Sequence, residues 1–463
     1  MSLGILRWYK ILMYKILILS FIIINQPLQA DDLQFSLHKI TSNKEGPTLL
    51  VIGGIQGDEP GGFTAASLLV TDYTVVNGNI WVVPNLNFQS IIKRSRGIHG
   101  DMNRKFKYLS TTDPEFDEVQ KIKQIILDKN VDLVLNLHDG SGFYKKTYIN
   151  KMHNPNRWGQ SIIIDQEKIS DHDFGDLQKI ALNVKKHINN NLKVKSKYFY
   201  VKNTETKKGD VEMEKTLTYF SILNNQPAFG VEASKNFLTH ERTFYHLLAV
   251  EGFMKQMGIE FKRGFELTRS EVAKKIGNNL KISLYGDRIK LHIDKARKRL
   301  NYVPLKKYAN IEYKKNNPLI AVVKNNKSLK VRYGNRHVTS LSPQYFEYDN
   351  SLDDIEMVID GENKTISIGD KINVEKSFRV LARDDYRVNV IGFSKQGVKN
   401  ENNILIRKKN IKSRFSIDKN EEIFRVEIYK GSRFSGMVLV DFASGFKTQP
   451  ISLLKSSSSE LQM

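Results

Sequence analysis

Two side chains that can donate an oxygen to a cation, Gln56 and Glu59, stand three residues apart in the glycine-rich stretch VIGGIQGDEPGG, Val51 to Gly62. At that spacing in a tight turn they can converge on one ion. Catalytic zinc sites take three protein ligands and leave a fourth position for water. The third ligand must come from far along the chain, and His138, at the end of the apolar run VDLVLNLH, is the candidate. Zinc in such a site polarises a carbonyl and lowers the pKa of its water towards about 7. Hydrolysis of an amide also needs a proton shuttle and an oxyanion clamp. Glu232, in PAFGVEAS, is a carboxylate at the end of another apolar run. Each residue has a blander reading. Gln56 can satisfy backbone groups of the turn in a site without metal, His138 can be a satisfied core residue, and Glu232 can pair with a nearby cation.

These residues need elements that bring them together. TLLVIGGI, residues 48–55, reads as a buried strand running into a tight turn. EPGGFTAASLLV follows as a helix with Pro60 in its first turn. GNIWVVPNLN, VDLVLNLHDG and PAFGVEAS are further buried strands, and ERTFYHLLAVEGFMKQMG is a helix ended by Gly258. TDPEFDEVQKIKQIILDKN, residues 112–130, reads as an amphipathic helix with Asp113 as N-cap and Pro114 in the first helical position. Strands that alternate with helices and are apolar on both faces indicate an α/β domain with a mixed sheet and flanking helices. Chemistry in such sheets gathers at the carboxyl ends of strands, where Gln56, His138 and Glu232 all fall. After residue 262 short alternating runs take over, so two small all-β domains are expected over 262–350 and 351–463, the last of immunoglobulin-like type.

Four motifs occur in a telling order. GGIQGDEPGG, RGIHGDMNRKF, NLHDGSG and FGVEAS resemble the metal turn, the Arg and Asn-Arg segment, the later His segment and the general-base strand of the zinc carboxypeptidases, the carboxypeptidase A-like family. The resemblance covers about half the chain, 31–261. It implies Gln56, Glu59 and His138 as ligands of one zinc per chain, with Gln56 in place of the family's first histidine. It implies Glu232 as general base and then acid, Arg96 as oxyanion stabiliser, and Asn103 and Arg104 as the holders of the substrate's terminal carboxylate. An amide oxygen is a harder and weaker donor than imidazole, and it needs no deprotonation. The glutamine, the β-rich second half and the length are similar to the DL-carboxypeptidases that set cell shape in helical bacteria. That branch trims peptidoglycan stem tripeptides to dipeptides by removing meso-diaminopimelate from γ-D-glutamate. Two other readings remain open: a catalytically silent wall-binding scaffold, and a deacylase of the aspartoacylase and succinylglutamate desuccinylase type.

Composition restricts the setting. The 463 residues carry a formal charge of +22 and no cysteine, so thiol nucleophiles, thiolate ligands and disulfides are excluded. Residues 1–30 read as a secretory signal peptide, with Arg7, Lys10 and Lys15 ahead of ILILSFIII and a small residue, Ala30, at the cut. A periplasmic protein is therefore expected, and nucleic acid is not an expected partner. Residues 261–350 hold 21 Lys and Arg against 7 Asp and Glu. The stretch reads equally as a surface for peripheral contact with anionic polymers and lipid head groups or as a solvated face that only aids solubility; the resemblance implies peptidoglycan muropeptides as partners, and the β domains can dock other wall or periplasmic proteins. The tail SSSSELQM is expected to be disordered.

Overall fold

The structure, a computed structural model, describes residues 28–443 apart from residues 30, 31, 43, 308, 326 and 384. The expected leader lies outside the described residues except for Leu28–Gln29, which pair with Glu312–Tyr313 of the middle domain; the expected disordered tail lies outside them too.

A seven-stranded sheet carries the first domain. Its strands are β1 (His38–Thr41), β2 (Thr48–Gly53), β3 (Asn79–Val83), β4 (Leu133–Gly140), β5 (Ser161–Ile164), β6 (Tyr200–Asn203) and β7 (Ala228–Ser234), in spatial order β6-β5-β7-β4-β2-β3-β1. The inner pairs β7–β4, β4–β2 and β2–β3 are parallel, while β1 and β5 run antiparallel to β3 and β7. The sheet is thus mixed, as the apolar runs indicate. Every residue of β2 and of β4 is buried, which is what a central strand covered on both faces requires. Helices α1 (Pro60–Asp72) and α4 (Thr239–Gln256) pack on one another and on the central strands, and α3 (Leu177–Asn190) packs on α4. Because β2, β4 and β7 are parallel neighbours, their carboxyl ends form one edge.

One expected helix starts late. Helix α2 spans Phe116–Ile126, with Glu115 rather than Asp113 at its N-cap. The Asp113 carboxylate is taken by Lys105 Nζ at 2.8 Å, and it accepts the Glu115 N–H at 2.8 Å. The ion pair fixes a turn where the sequence pattern reads as the first helical turn.

Past residue 262 the chain does not leave the first domain at once. Glu260–Arg263 pairs antiparallel with Tyr73–Asn77, and the helix Arg269–Lys275 packs on α4 with Val272 in the first core. Two four-stranded sheets then build the middle β domain, and sheets of three and four strands build the last one. The last domain is a sandwich around Met357, Val380, Val388, Val426 and Val438. The middle core reaches into both neighbours. It takes in Phe63 of α1 with Phe88 and Ile91, and also Tyr429, Phe434 and Leu439 of the last domain. No helix among the described residues is long and apolar enough to cross a membrane.

Candidate active site

The metal-ligand candidates meet where β2 and β4 end. Helix α1 starts at Pro60, where a missing N–H leaves no intrahelical bond unmade. The next residue approaches β4 very closely: the Gly61 N–H donates to Asp139 Oδ2 at 2.8 Å, and a Cβ on Gly61 would stand 2.3 Å from Asp139 Oδ1. This close approach brings the turn to the strand. Glu59 Oε2 accepts the Asp139 N–H at 3.0 Å and lies 3.0 Å from His138 Nδ1. Gln56 Oε1 lies 3.2 Å from the same nitrogen.

Donors about 2.0–2.2 Å from a tetrahedral ion stand roughly 3.3 Å apart, so the spacing about His138 Nδ1 fits a divalent cation. The orientation of the Gln56 amide fits as well. Its Nε2 donates to Asp101 Oδ1 at 2.8 Å and Oδ2 at 3.0 Å, which turns the oxygen towards His138. Among the described residues no three His, Cys, Asp or Glu side chains gather as a metal cluster; the third donor here is an amide. Burial works to lower the His138 pKa, but the Glu59 and Glu232 carboxylates outweigh it and the ring holds its proton more tightly than usual. A cation at Nδ1 must displace that proton.

Glu232 stands opposite His138 in the β7–β4 register. Its side chain lines the cavity, while Oε2 is shut off from solvent without a hydrogen-bond partner among the described residues. A Cβ on Gly140 would come within 2.7 Å of that oxygen, so the strand leaves room for the carboxylate only as glycine. Burial pushes the Glu232 pKa up to about 7, against the pull of His138 and Lys235 and with help from Glu59 and Asp139. A carboxyl tuned there is suited to both halves of a proton shuttle near neutral pH.

The remaining candidates share the cavity, about 220 Å³ in volume. Arg96 donates to Asp101 Oδ2 at 2.9 Å and reaches Glu59 Oε1 at 3.4 Å. Arg94, nearby in sequence, instead caps the helix Phe88–Lys93 in the left-handed conformation. Asn103 Oδ1 accepts the Leu217 N–H at 3.0 Å, so its Nδ2 is the end left for a ligand. Arg104 Nε pairs with exposed Glu212 at 3.3 Å.

Two residues here escaped the sequence reading. Asp101 lies inside the quoted RGIHGDMNRKF, and Lys235 lies three residues beyond Glu232. Lys235 Nζ reaches Asp58 at 3.1 Å and Glu59 Oε1 at 3.2 Å, so one lysine bridges the two carboxylates. Trp158, Ile163, Met213, Thr216 and Thr218 also line the cavity, and no motif marked them.

A family model described as the catalytic domain of the carboxypeptidase controlling helical cell shape matches residues 11–277. A second, the C-terminal domain of metallo-carboxypeptidase, matches residues 348–443. No curated protein matches the chain. Among solved structures, apo cell shape determinant Csd4 from Helicobacter pylori is 40% identical with a TM-score of 0.82, covering 88% of this chain and 100% of that one. The tripeptide-bound form of Csd4 from the same organism is 41% identical, with the same TM-score of 0.82 and the same shares of 88% and 100%. The mDAP-bound form, described as a D,L-carboxypeptidase, is 40% identical over 87% of this chain and 99% of that one, with a TM-score of 0.82. With its peptidase half and its last domain both matched, the chain belongs to the family of metallo-carboxypeptidases that control helical cell shape, and it is a hydrolase.

Proposed function

We propose that the chain is a periplasmic zinc D,L-carboxypeptidase that removes meso-diaminopimelate from peptidoglycan stem tripeptides, with one zinc per chain held by Gln56, Glu59 and His138. The observation that carries the reading is the meeting of Gln56 Oε1 and Glu59 Oε2 about His138 Nδ1, beside an unpartnered Glu232 oxygen. The tripeptide and mDAP bound in the Csd4 structures support the substrate class. A wall substrate in turn supports export through the leader at residues 1–30. The family matches over residues 11–277 and 348–443 favour this reading over the deacylase, and the raised, cavity-facing Glu232 favours it over the silent scaffold.

Each residue then has a task. Zinc in the site would polarise the scissile carbonyl and acidify a water. Glu232 takes a proton from the attacking water and returns it to the leaving amine. Arg96 already stands in the cavity as a half-exposed guanidinium, free to turn from Glu59 towards the developing oxyanion. Asn103 offers Nδ2, and Arg104 gives up its exposed partner Glu212 to form a two-pronged bond with the terminal carboxylate. Lys235 balances Glu59 and Asp58, so the cluster does not accumulate uncompensated negative charge.

The test uses the chain from Asp31 onward. Bound metal is measured, a muropeptide tripeptide is supplied, and products are read by mass, with Glu232→Ala and Gln56→His alongside. About one zinc per chain and release of diaminopimelate, abolished in Glu232→Ala, is the expected result. No metal and no product from wild type, even with zinc supplied, would overturn the reading and put the wall-binding scaffold ahead.

A further inference from the structure

A second cleft, of about 340 Å³, lies between the middle and last domains and shares no residue with the catalytic cavity. Four arginines enter its wall: Arg297, Arg299, Arg414 and Arg425. Two of them are committed to the fold. Arg297 binds Ser416 Oγ and Glu421, each at 3.0 Å. Arg425 is buried, donates to the carbonyls of Asn301 at 2.9 Å and Tyr302 at 3.1 Å, and pairs with Glu427 at 3.2 Å.

The other two are free. The guanidiniums of Arg299 and Arg414 are exposed and make no ion pair among the described residues; Arg414 only leans on the Phe415 ring. One more donor is idle: Arg425 Nε is shut off from solvent with no partner among the described residues. A buried donor without an acceptor is unusual enough to call for an explanation.

The backbone at this cleft is specially shaped. The register of strand Arg299–Lys306 against Arg336–Phe346 shifts between Leu300 and Val303. Within this bulge Tyr302 adopts φ 55°, the left-handed region, and the residue is 62% exposed. Bulges of this kind re-aim side chains beside binding sites. Here the bulge turns two carbonyls onto Arg425 and presents a tyrosine ring beside two free guanidiniums.

Guanidinium forks pair with planar carboxylates in two-pronged fashion, and an exposed aromatic ring suits a sugar or peptide face. We propose that this cleft is a second, non-catalytic site that binds carboxylate-bearing stem peptides of the wall. The ligand's identity rests on the function proposed above; the anion preference rests on the cleft itself. Stems trimmed by the catalytic site keep carboxylates, so the cleft can hold the polymer while the cavity works along it, which raises the local substrate concentration.

Retention on insoluble sacculi tests this. It is measured in a Glu232→Ala background, where stems are not cleaved, with and without Arg299→Ala and Arg414→Ala. The double substitution is expected to weaken retention about tenfold. In the otherwise wild-type chain it is expected to leave kcat/KM for soluble tripeptide unchanged within about twofold. Sacculi whose carboxylates have been amidated by carbodiimide and methylamine should bind the parent as weakly as untreated sacculi bind the double variant. Equal retention of parent and variant, or undiminished binding to amidated sacculi, overturns the proposal. Failure of the wild-type chain to cleave tripeptide instead overturns the catalytic reading, and the two failures are read in separate arms.

Discussion

Two carboxylates stand on adjacent strands at the same sheet edge, Glu232 facing the cavity and Asp139 behind it. Glu232 pairs in register with His138, and Asp139 with Ala233, so the alternation along the strands sends them to opposite faces. Asp139 has full compensation: Gly61 N–H at 2.8 Å, Arg242 at 2.6 Å and His246 at 3.1 Å. Burial pushes its pKa up, but the His246 hydrogen bond and the Arg242 charge win, and the group stays below the usual carboxylate range. Glu232 keeps an oxygen with no partner and is pushed up to about 7. The difference separates a carboxylate that holds the fold from one that the fold leaves without a partner at the cavity.

The largest effect expected from breaking that contrast is on turnover. Glu232→Gln keeps the shape and removes the proton shuttle, so kcat should fall by about 10²–10⁴-fold while bound zinc stays the same. Loss of metal along with activity would mean that Glu232 serves the ligand set rather than the chemistry. Asp139→Ala should act on the other side of the contrast. It strands Arg242 in the interior, and the stability measured by urea unfolding should drop by about 3–5 kcal/mol. A drop of under about 1 kcal/mol would place the pair among those that contribute little.

The two carboxylates should also respond to pH in opposite senses. For Glu232 the folded pKa is near 7, above its ordinary 4.5. Its contribution to stability is therefore fully present below about pH 4.5, where both states are protonated, and is lost as pH rises through 7. In metal-free protein, Glu232→Gln should match wild type near pH 4.5 and be more stable by roughly 1–3 kcal/mol at about pH 8, allowing for the solvent that the cavity admits. Asp139 has a lowered pKa, so its contribution is present above its unfolded value and lost as pH falls. The gap between wild type and Asp139→Asn should shrink in acid. Parallel pH profiles for the two variants would remove the distinction drawn here.

What the sequence could reveal follows the range of the interactions. The strands β2, β4 and β7 are legible because largely apolar runs of this length, closed by glycine in β2 and β4, have few other uses. Gln56, Glu59, His138 and Glu232 fall at the ends of such runs, so one edge could be inferred before any contact was known. Asp101 and Lys235 were not legible, since their partners lie 45 and 177 residues away for the bonds to Gln56 and Asp58. The start of α2 differs for another reason: the contact is short in sequence, but an ion pair leaves no periodic trace, and Lys105 rather than the helix claims Asp113. The sharing of the middle core with Phe63 and Phe434 was equally hidden. Apolar alternation shows that a strand is covered, not which domain covers it.

Asp101 gives the smallest effect and the finest test of the contrast. It stands at the front like Glu232, but it is satisfied like Asp139: it accepts from Gln56 Nε2, from Arg96 Nε at 2.9 Å and from the Asn103 N–H at 3.0 Å. Those bonds, with the opposing cost of burial, hold its pKa below the usual carboxylate range. If its role is to turn the Gln56 oxygen towards the ion, Asp101→Ala frees the amide to flip and should weaken zinc affinity by about 10–100-fold, read by competition with a chelating dye. In Gln56→His the ligand is a ring whose second nitrogen can donate to the same carboxylate. Zinc binding should persist there, and it should again weaken when Asp101→Ala is added. Unchanged affinity in Asp101→Ala alone would show that the cavity walls orient the amide without it. Asp101 would then belong with Arg96 and the oxyanion rather than with the metal.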